Sequence, residues 1–409
     1  MKYTPSLHTR RDFIARGLGF AAASLTIPTW LDRSVLGANS VAADGRILVV
    51  LQLSGGNDGL NTVVPYSSDD YHRARPELRL KADKVLKING EIGLHPSLAA
   101  LKGLYDDGHA AIIQGAGYPN PNRSHFRSME IWHTCSDSDK FEKYGWIGRY
   151  FDNECKGSDS PASGVAFGSE TPQAFNNQGG RGITFASPES FRWQPSARDK
   201  SAEAEMAAYR ALNSVSADKA DFLTRTAMNA QVTSGRVREI AASYKAKADY
   251  PQNPLAANLR HIAGMIAGGL GSRIYYAQLG GFDTHTGQLD RHARLMDHVA
   301  GSIAAFYNDL KAQGLADRVL LMTFSEFGRR VTENASAGTD HGVAGPIFIV
   351  GGCVKPGLYG RYPSLTDLDQ GDLKADTDFR QVYATVLENW LGAKSAPILG
   401  RQFEKLAFV

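Results

Sequence analysis

The chain has few cysteines, and they form no metal-binding pattern. Cys135, Cys155 and Cys353 are the full set in 409 residues, with no CxxC pair and no cysteine–histidine finger spacing. Their spacing excludes a zinc finger and a thioredoxin-type redox motif. If the chain is exported, a Cys135–Cys155 disulfide can form. Three free or buried thiols are the alternative, and the sequence leaves both open.

Long apolar runs and an excess of one charge are also missing. After residue 43, no apolar run reaches the roughly 20 residues that span a bilayer. Residues 1–43 hold five basic and two acidic side chains, which account for the whole formal charge of +3. The remaining chain is neutral overall, so we expect no binding to nucleic acid and no stable membrane anchor.

The first 43 residues have the pattern of a targeting segment. Arg10-Arg11 lies in a twin-arginine pattern, the apolar stretch Gly17–Pro28 follows, and small residues near Ala38–Ala43 suit cleavage. Such signals are receptor-read addresses and are set apart from the fold. We predict a twin-arginine signal peptide over residues 1–43, the Tat translocase as partner during export, and a periplasmic or extracellular location.

The rest of the chain, residues 44–409, alternates short β-prone apolar segments with helical patterns. Ile47–Leu53 has the continuous hydrophobicity of a central strand buried on both faces. This alternation predicts an α/β fold with a doubly wound, mostly parallel sheet sandwiched by helices. Residues 150–270, first rich in loop formers and then strongly helical, indicate an insertion. Other predicted strands are Ala110–Gln114, Arg273–Leu279, Arg318–Phe324 and Pro346–Val350.

Polar side chains recur beside these strands, mostly just after them. The carboxyl ends of parallel strands share one edge of a sheet, so these groups can converge. Carboxylates mixed with imidazoles suit Zn, Mn or Fe, whereas carboxylates alone suit Mg or Ca. Several carboxylates at one place would repel without a cation. Each group taken singly also fits a turn, a helix cap or a hydrogen-bonded histidine. Together they predict a metal site whose candidate ligands are Asp58, Asp283, His285, Glu326, Asp340 and His341. Ser124 and His125 are the candidate catalytic residues beside it.

Four motifs carry a resemblance to a known family. LSGGND, GGFDTH, SEFGRR and TDHG together resemble the Tat-exported domain-of-unknown-function family 1501, which is placed in the alkaline phosphatase and sulfatase superfamily. The resemblance covers essentially the whole mature chain. It implies an alkaline phosphatase-like fold with divalent metal, most simply Zn with Mn, Mg or Ca as alternatives, on the strand ends. It implies no established substrate.

The superfamily pattern transfers to individual residues with two departures. Asp58 resembles the metal-binding Asp beside the nucleophile, Ser124 the nucleophile, and Asp283 and His341 the ligands of the other metal site. The pattern Asp-x-x-x-His is shortened to Asp283-x-His285, with glycine where the histidine would fall. The usual Asp-His pair is replaced by Glu326-Phe327, with Asp340 as an additional carboxylate. No Cys-x-Pro-x-Arg pattern is present, which disfavours a formylglycine sulfatase.

These residues predict a metal-dependent hydrolase of phosphate or sulfate esters, acting on a small-molecule or polysaccharide substrate. Ser124 would attack phosphorus or sulfur, with metal lowering the pKa of its hydroxyl. The candidates for orienting the metal ligands or transferring a proton are His125, His292 and Asp340. Arg123 or Arg329 is a candidate for binding the anionic group. Two alternatives stay open. One is a non-catalytic metal-containing protein that binds an extracellular anionic polymer or a protein partner, and the other is a metal-free Ser-His hydrolase.

Overall fold

A computed structural model of the chain describes residues 45–155, 161–192, 203–205, 207 and 222–409. The predicted signal peptide lies outside the described residues, and so does part of the predicted insertion. In the part of the chain that is described, no helix is both long enough and apolar enough to cross a membrane. Cys135, Cys155 and Cys353 all carry free thiols, so the structure contains no Cys135–Cys155 disulfide.

The described residues form strands and helices that alternate along much of the chain. The strands are β1 Ile47–Ser54, β2 Val63–Val64, β3 Leu86–Lys87, β4 Gly93–Leu94, β5 Ala110–Gly117, β6 Gly164–Phe167, β7 Ile183–Phe185, β8 Ile274–Gly280, β9 Val319–Phe324, β10 Gly345–Gly351, β11 Gly357–Tyr359, β12 Leu368–Asp369, β13 Asp372–Leu373 and β14 Thr377–Asp378. The α-helices are α1 Gly59–Thr62, α2 Asp69–Ala74, α3 Ala99–Asp106, α4 His125–Thr134, α5 Trp146–Glu154, α6 Phe222–Ser243, α7 Pro254–Ala267, α8 Gln288–Ala312, α9 Phe379–Thr385 and α10 Ser395–Leu399.

One nine-stranded sheet organises these elements. Its order is β11-β5-β10-β9-β1-β8-β6-β7, with β14 beside β5. All neighbouring pairs are parallel except those of β10, which runs antiparallel to both β5 and β9. The predicted α/β class and mostly parallel sheet are confirmed. Strands β6 and β7 lie within residues 150–270 and extend this sheet, while the bounds of the insertion stay a prediction.

Helices cover both faces of the sheet, because β1 is apolar at every position from Ile47 to Leu51. Val49 and Leu51 face a core that includes side chains of α3, α6, α7 and α8. Leu48 and Val50 face a second core built with α4, α5, α9 and α10. A strand that buries both sets of side chains needs a helical layer on each side. The sandwich of helices predicted from the sequence is thus confirmed.

The strand directions bring several loops to one edge of the sheet. Strands β1, β5, β8 and β9 present their carboxyl ends there, where open α/β sheets place ligands. The reversed β10 presents its amino end at the same edge, so the residues just before Gly345 reach it too. A loop without a helix joins β9 to β10. Antiparallel strands can be joined without a helix, whereas parallel strands usually need a helical crossover.

Trp132→Ala tests the core beneath this edge. The Trp132 ring is 2% exposed and stacks on Phe379, with ring centroids 4.1 Å apart. Its removal leaves a large cavity and should lower the free energy of unfolding by about 3–5 kcal/mol. Chemical denaturation measures this loss. Phe126→Ala on the same helix is the control, because Phe126 is 91% exposed and its loss should change stability by less than about 0.5 kcal/mol. Equal losses would contradict this packing.

Candidate metal centre

Three imidazoles converge on the carboxylate of Asp283. His285 Nε2 and His341 Nε2 lie 3.1 Å and 3.2 Å from Asp283 Oδ1. His125 Nε2 lies 3.6 Å from Asp283 Oδ2. The ligand atoms of His125, Asp283 and His341 all lie within 4.8 Å of one another. His285 adjoins this group, since its Nε2 is 3.0 Å from that of His341.

Each imidazole uses its other nitrogen to bind a hydrogen-bond acceptor. His125 Nδ1 lies 2.8 Å from Glu326 Oε1, and His285 Nδ1 lies 3.2 Å from Asp340 Oδ1. The Nδ1 of His341 lies 2.8 Å from the backbone carbonyl oxygen of Arg123. A carbonyl or carboxylate can only accept, so each Nδ1 must carry the proton. In the neutral rings the Nε2 lone pairs are then free to bind a metal.

The distances between these donors fit a shared transition-metal ion. Two Zn–N bonds of about 2.0–2.1 Å at a tetrahedral angle place their nitrogens about 3.3 Å apart. The distances from the Asp283 oxygens to the three Nε2 atoms, and the distance between the Nε2 atoms of His285 and His341, range from 3.0 Å to 3.6 Å. Two Nε2 lone pairs 3.0 Å apart would repel unless a cation or a proton lies between them. The part of the chain that is described therefore contains a possible metal site.

Backbone approaches at the sheet edge bring these residues together. The loop after β1 lies directly against the loop after β8, and a Cβ atom added to Gly55 would come within 2.4 Å of the Asp283 nitrogen. Gly55 also has φ +120°, which favours glycine. Farther along, a Cβ on Gly338 would come within 2.2 Å of the His285 carbonyl. The glycines of these motifs thus permit the contacts between loops.

A buried arginine anchors Asp283. Arg329 Nη2 lies 2.8 Å from Asp283 Oδ1 and 3.0 Å from the Phe282 carbonyl. Burial opposes ionisation of Asp283, but the hydrogen bond and the positive charge of Arg329 outweigh it and hold the pKa of Asp283 at about 2. The carboxylate is therefore ionised at neutral pH, as a metal ligand must be. Arg329, predicted as an anion-binding residue, is instead fully engaged with the protein.

The environment shifts the pKa values of His125 and His341 in opposite directions. The hydrogen bond that His125 donates to Glu326 raises the pKa of His125, in opposition to burial. Burial is the largest cause that lowers the pKa of His341. Phe327 packs its ring 4.9 Å from the His125 ring and 4.6 Å from the His341 ring. The sequence pattern indicated that an imidazole ligand is missing at this position, and the Phe327 ring instead packs against two of the histidines.

The predicted ligands Glu326 and Asp340 lie behind imidazoles. Glu326 is buried and accepts hydrogen bonds from the Gly55 amide at 2.8 Å and from His125. Asp340 binds His285 and accepts a hydrogen bond from Asn334 at 3.2 Å. Asn334 is the largest cause that lowers the pKa of Asp340. Both carboxylates thus orient histidines, and His125, predicted as catalytic, faces Asp283 directly.

Asp58 lies in a separate buried ion pair. Its Oδ2 lies 2.5 Å from Arg75 Nη1 and accepts a second hydrogen bond from Gln288, while Oδ1 caps helix α1 through the Leu60 amide. Burial raises the pKa of Asp58, but the Arg75 charge outweighs it and the net shift is downward. Sequence reasoning missed Arg75, because nothing in its surrounding residues signals a partner for Asp58.

Two further predicted residues take different positions. Ser124 is exposed at the N-cap of α4, and its side chain makes no capping hydrogen bond. It directly precedes His125, so it lies at the rim of the histidine cluster. His292 is buried, with Nε2 3.1 Å from Asn57 Oδ1. Burial lowers the pKa of His292 to about 4, so this ring is neutral and belongs to the polar layer below the site.

The cluster opens to solvent and does not lie inside a deep cavity. The Asp283 side chain is 45% exposed. A cleft of about 600 Å³ lies elsewhere on the described surface, lined by Tyr118–Pro121, the segment from Leu373 to Asp376, and Arg401. None of the clustered histidines lines it. We therefore assign the chemistry to the convergent side chains, because a cleft volume alone does not supply metal ligands.

Fold and side chains together define a mostly parallel α/β protein with a candidate centre of three histidines and one aspartate. The chain belongs to the DUF1501 family, described as a protein of unknown function, whose sequence profile matches residues 46–392. The family predicted from the four motifs is thus confirmed. The sequence has no significant match among curated proteins.

Several solved structures are similar to the chain at low identity. One is a protein in the alkaline phosphatase superfamily from Vibrio parahaemolyticus, at 9% identity and a TM-score of 0.40, covering 98% of this chain and 80% of that one. The lipoteichoic acid synthase LtaP from Listeria monocytogenes has 11% identity and a TM-score of 0.36, covering 89% and 81%. The periplasmic domain of EcEptC from Escherichia coli, in complex with Zn, has 9% identity and a TM-score of 0.33, covering 75% and 72%. Likeness at this level does not identify a shared reaction.

Asp58→Asn separates a structural role from metal binding. The change leaves the buried Arg75 charge without its partner, so we expect a loss of about 3–5 kcal/mol in the free energy of unfolding. The metal content of the folded protein should stay unchanged, because Asp58 is bonded to Arg75 and Gln288. Chemical denaturation and elemental analysis measure the two effects. Asp106→Asn, at an exposed pair with Lys102, should match wild type. Metal loss from folded Asp58→Asn protein would contradict this assignment.

Glu326→Gln tests the support of His125. Glutamine keeps the size of the side chain but loses the charge that fixes the imidazole, so metal affinity should fall by about 10–100-fold. Competition with a fluorescent zinc chelator measures the dissociation constant. Glu239→Gln, at an exposed pair with Arg236 on α6, is the matched control and should leave affinity unchanged. An affinity equal to wild type in Glu326→Gln would remove Glu326 from this role.

Proposed function

We propose that the protein is an exported, metal-dependent hydrolase of phosphate or sulfate esters, with Ser124 as the nucleophile. The observation that carries the proposal is the convergence of three Nε2 atoms on Asp283 beside an exposed serine. The twin-arginine pattern of residues 1–43 supports passage through the Tat translocase to the periplasm or cell exterior. The substrate class is a small-molecule or polysaccharide ester.

His125, Asp283, His285 and His341 are the residues that would hold the metal. Three imidazoles and one carboxylate favour Zn over Mg or Ca, which prefer all-oxygen sites. When bound, the ion supplies a Lewis acid that neutralises negative charge on an ester and lowers the pKa of a nearby hydroxyl. Glu326, Asp340 and the Arg123 carbonyl keep the three rings oriented for this task.

Ser124 supplies the nucleophile in this proposal. Its hydroxyl makes no capping bond, so the oxygen is free to attack phosphorus or sulfur. The Ser124 hydroxyl loses its proton to solvent as its oxygen bonds to the central atom and the bond to the leaving oxygen breaks. The leaving oxygen takes up a proton and departs as an alcohol, and water then hydrolyses the serine ester to release phosphate or sulfate. The first amides of α4 point toward the region of Ser124, where a helix N-terminus favours an anion.

The alternative proposal is a non-catalytic protein of the same fold that keeps its metal. Asp283 is open to solvent and does not line the cleft, which favours contact with an extended surface such as an anionic polymer or a protein partner. Such a protein would bind metal in stoichiometric amount without turning over esters. A metal-free Ser-His hydrolase is less favoured, because the three histidines face Asp283 and the hydroxyl of Ser124 makes no hydrogen bond with any of them in the described residues.

Ser124→Ala and Asp283→Ala together test the proposal. We expect about one transition-metal ion per chain in wild type and in Ser124→Ala, and loss of the ion in Asp283→Ala, since Asp283 is the point on which the imidazoles converge. Turnover of aryl phosphates, phosphodiesters and aryl sulfates should be abolished in both variants. Elemental analysis and a chromogenic ester screen measure these quantities.

The outcomes separate the proposals. Bound metal with no turnover on any ester would favour the non-catalytic protein. Turnover that survives a chelator would favour the metal-free hydrolase, and turnover in Ser124→Ala would exclude this serine as nucleophile. No metal in protein exposed to Zn and Mn would overturn the metal-dependent mechanism. Ser138→Ala is the control, because its hydroxyl donates to the Pro119 carbonyl at the surface.

A further inference from the structure

Two arginines share one buried carboxylate close to the histidine cluster. Asp372 starts strand β13, and its side chain is almost fully buried. Arg123 Nη2 bonds to Asp372 Oδ2, and Arg330 Nε lies 3.4 Å from Asp372 Oδ1. Arg330 also donates from Nη2 to the Gln370 carbonyl at 3.2 Å. The β12–β13 hairpin thus holds both guanidinium groups.

The backbones of both arginines are joined to the candidate metal centre. Arg123 directly precedes Ser124, and its carbonyl accepts the Nδ1 proton of His341 at 2.8 Å. The Arg330 amide donates to the Asp340 carbonyl at 3.0 Å, and its neighbour Arg329 forms a β-bridge with His341. Both side chains therefore start at the rim of the cluster and extend toward the same carboxylate.

The guanidinium groups of Arg123 and Arg330 share the single buried carboxylate of Asp372. The side chains of Arg123 and Arg330 are 38% and 37% exposed, so each retains donors that can reach a ligand. Arg123 Nε, which is itself buried, has no hydrogen-bond partner in the described part of the chain. By contrast, Arg329 is wholly buried and bonded to the protein on all sides.

We propose that Arg123 and Arg330, aligned by Asp372, bind the tetrahedral anionic group of the substrate beside the metal centre. This inference rests on the proposed ester hydrolase and gives its substrate a negatively charged phosphate or sulfate group. Guanidinium groups present paired N–H donors that match the oxygens of such anions. Asp372 is a positioning residue, because it contacts the arginines and directs them without reaching the ligand itself.

Isothermal titration calorimetry with inorganic phosphate and, separately, inorganic sulfate tests the proposal on the zinc-loaded full-length mature protein. We expect wild type to bind at least one of the two anions, and Arg123→Gln and Arg330→Gln each to weaken that binding at least tenfold. Arg330→Lys should give an intermediate loss, because it keeps the charge but not the paired donors. The anion that binds more tightly distinguishes phosphate from sulfate esters as the substrate class.

Arg192→Gln is the matched control. It makes the same change of charge at an exposed position that follows β7, at the far edge of the sheet, and should leave anion affinity unchanged. Each single variant at the site leaves the other arginine on Asp372, so the buried carboxylate stays paired. Denaturation curves and zinc content close to wild type are therefore expected for both variants.

The result distinguishes failure of this inference from failure of the proposed function. Wild type that binds neither anion, or anion affinities within twofold of wild type in both arginine variants, would overturn the arginine site even if zinc and ester turnover are found. Arginine-dependent anion binding in a protein without zinc or turnover would support the arginine site and reject the hydrolase.

Discussion

The buried guanidinium of Arg329 is the interaction on which the edge of the sheet depends. A buried cation is strongly destabilising unless every donor is paired. Arg329 meets this requirement by joining the loops after β1 and β8 to the loop before β10, and by fixing the carboxylate on which the histidines converge. Its partners are the carbonyl oxygens of Gly55, Gly56, Phe282 and Thr339 and the carboxylate of Asp283. The candidate metal site is therefore built on a buried polar network.

A second buried ion pair extends this network below the site. Asp58 and Arg75 are joined through Gln288 to Thr339, whose hydroxyl bonds to Gln288 Oε1 at 2.6 Å. The Thr339 carbonyl also accepts a hydrogen bond from Arg329. Arg75 and Arg329 therefore belong to one connected set of hydrogen bonds. Such networks stiffen a site when all members are satisfied. The histidine cluster is thus oriented from below by charges that never reach solvent.

The local sequence predicted the location of the site. It predicted less well which of its residues would contact one another. Continuous apolar strands followed by glycine and polar residues located the sheet edge, and Asp283, His285 and His341 do lie together there. Asp58 has the same local pattern, but its partner Arg75 is specified only by tertiary packing. Glu326 and His125 are 201 positions apart, so their pairing was not predictable from spacing. Hydropathy did not predict the direction of β10, because a strand buried on both faces has the same hydrophobic pattern whether it runs parallel or antiparallel to its neighbours.

The reversal of β10 also affects how such a centre can diversify. The loop that joins β9 to β10 leaves and rejoins the sheet at the same edge, and it carries residues of several kinds. His341 faces Asp283, and Arg329 donates a hydrogen bond to the Asp283 carboxylate. Glu326 and Asp340 orient His125 and His285. A single contiguous exchange of sequence between homologues could therefore transplant one member of the centre together with the side chains that hold the other three, while the sheet and both helical layers are inherited unchanged.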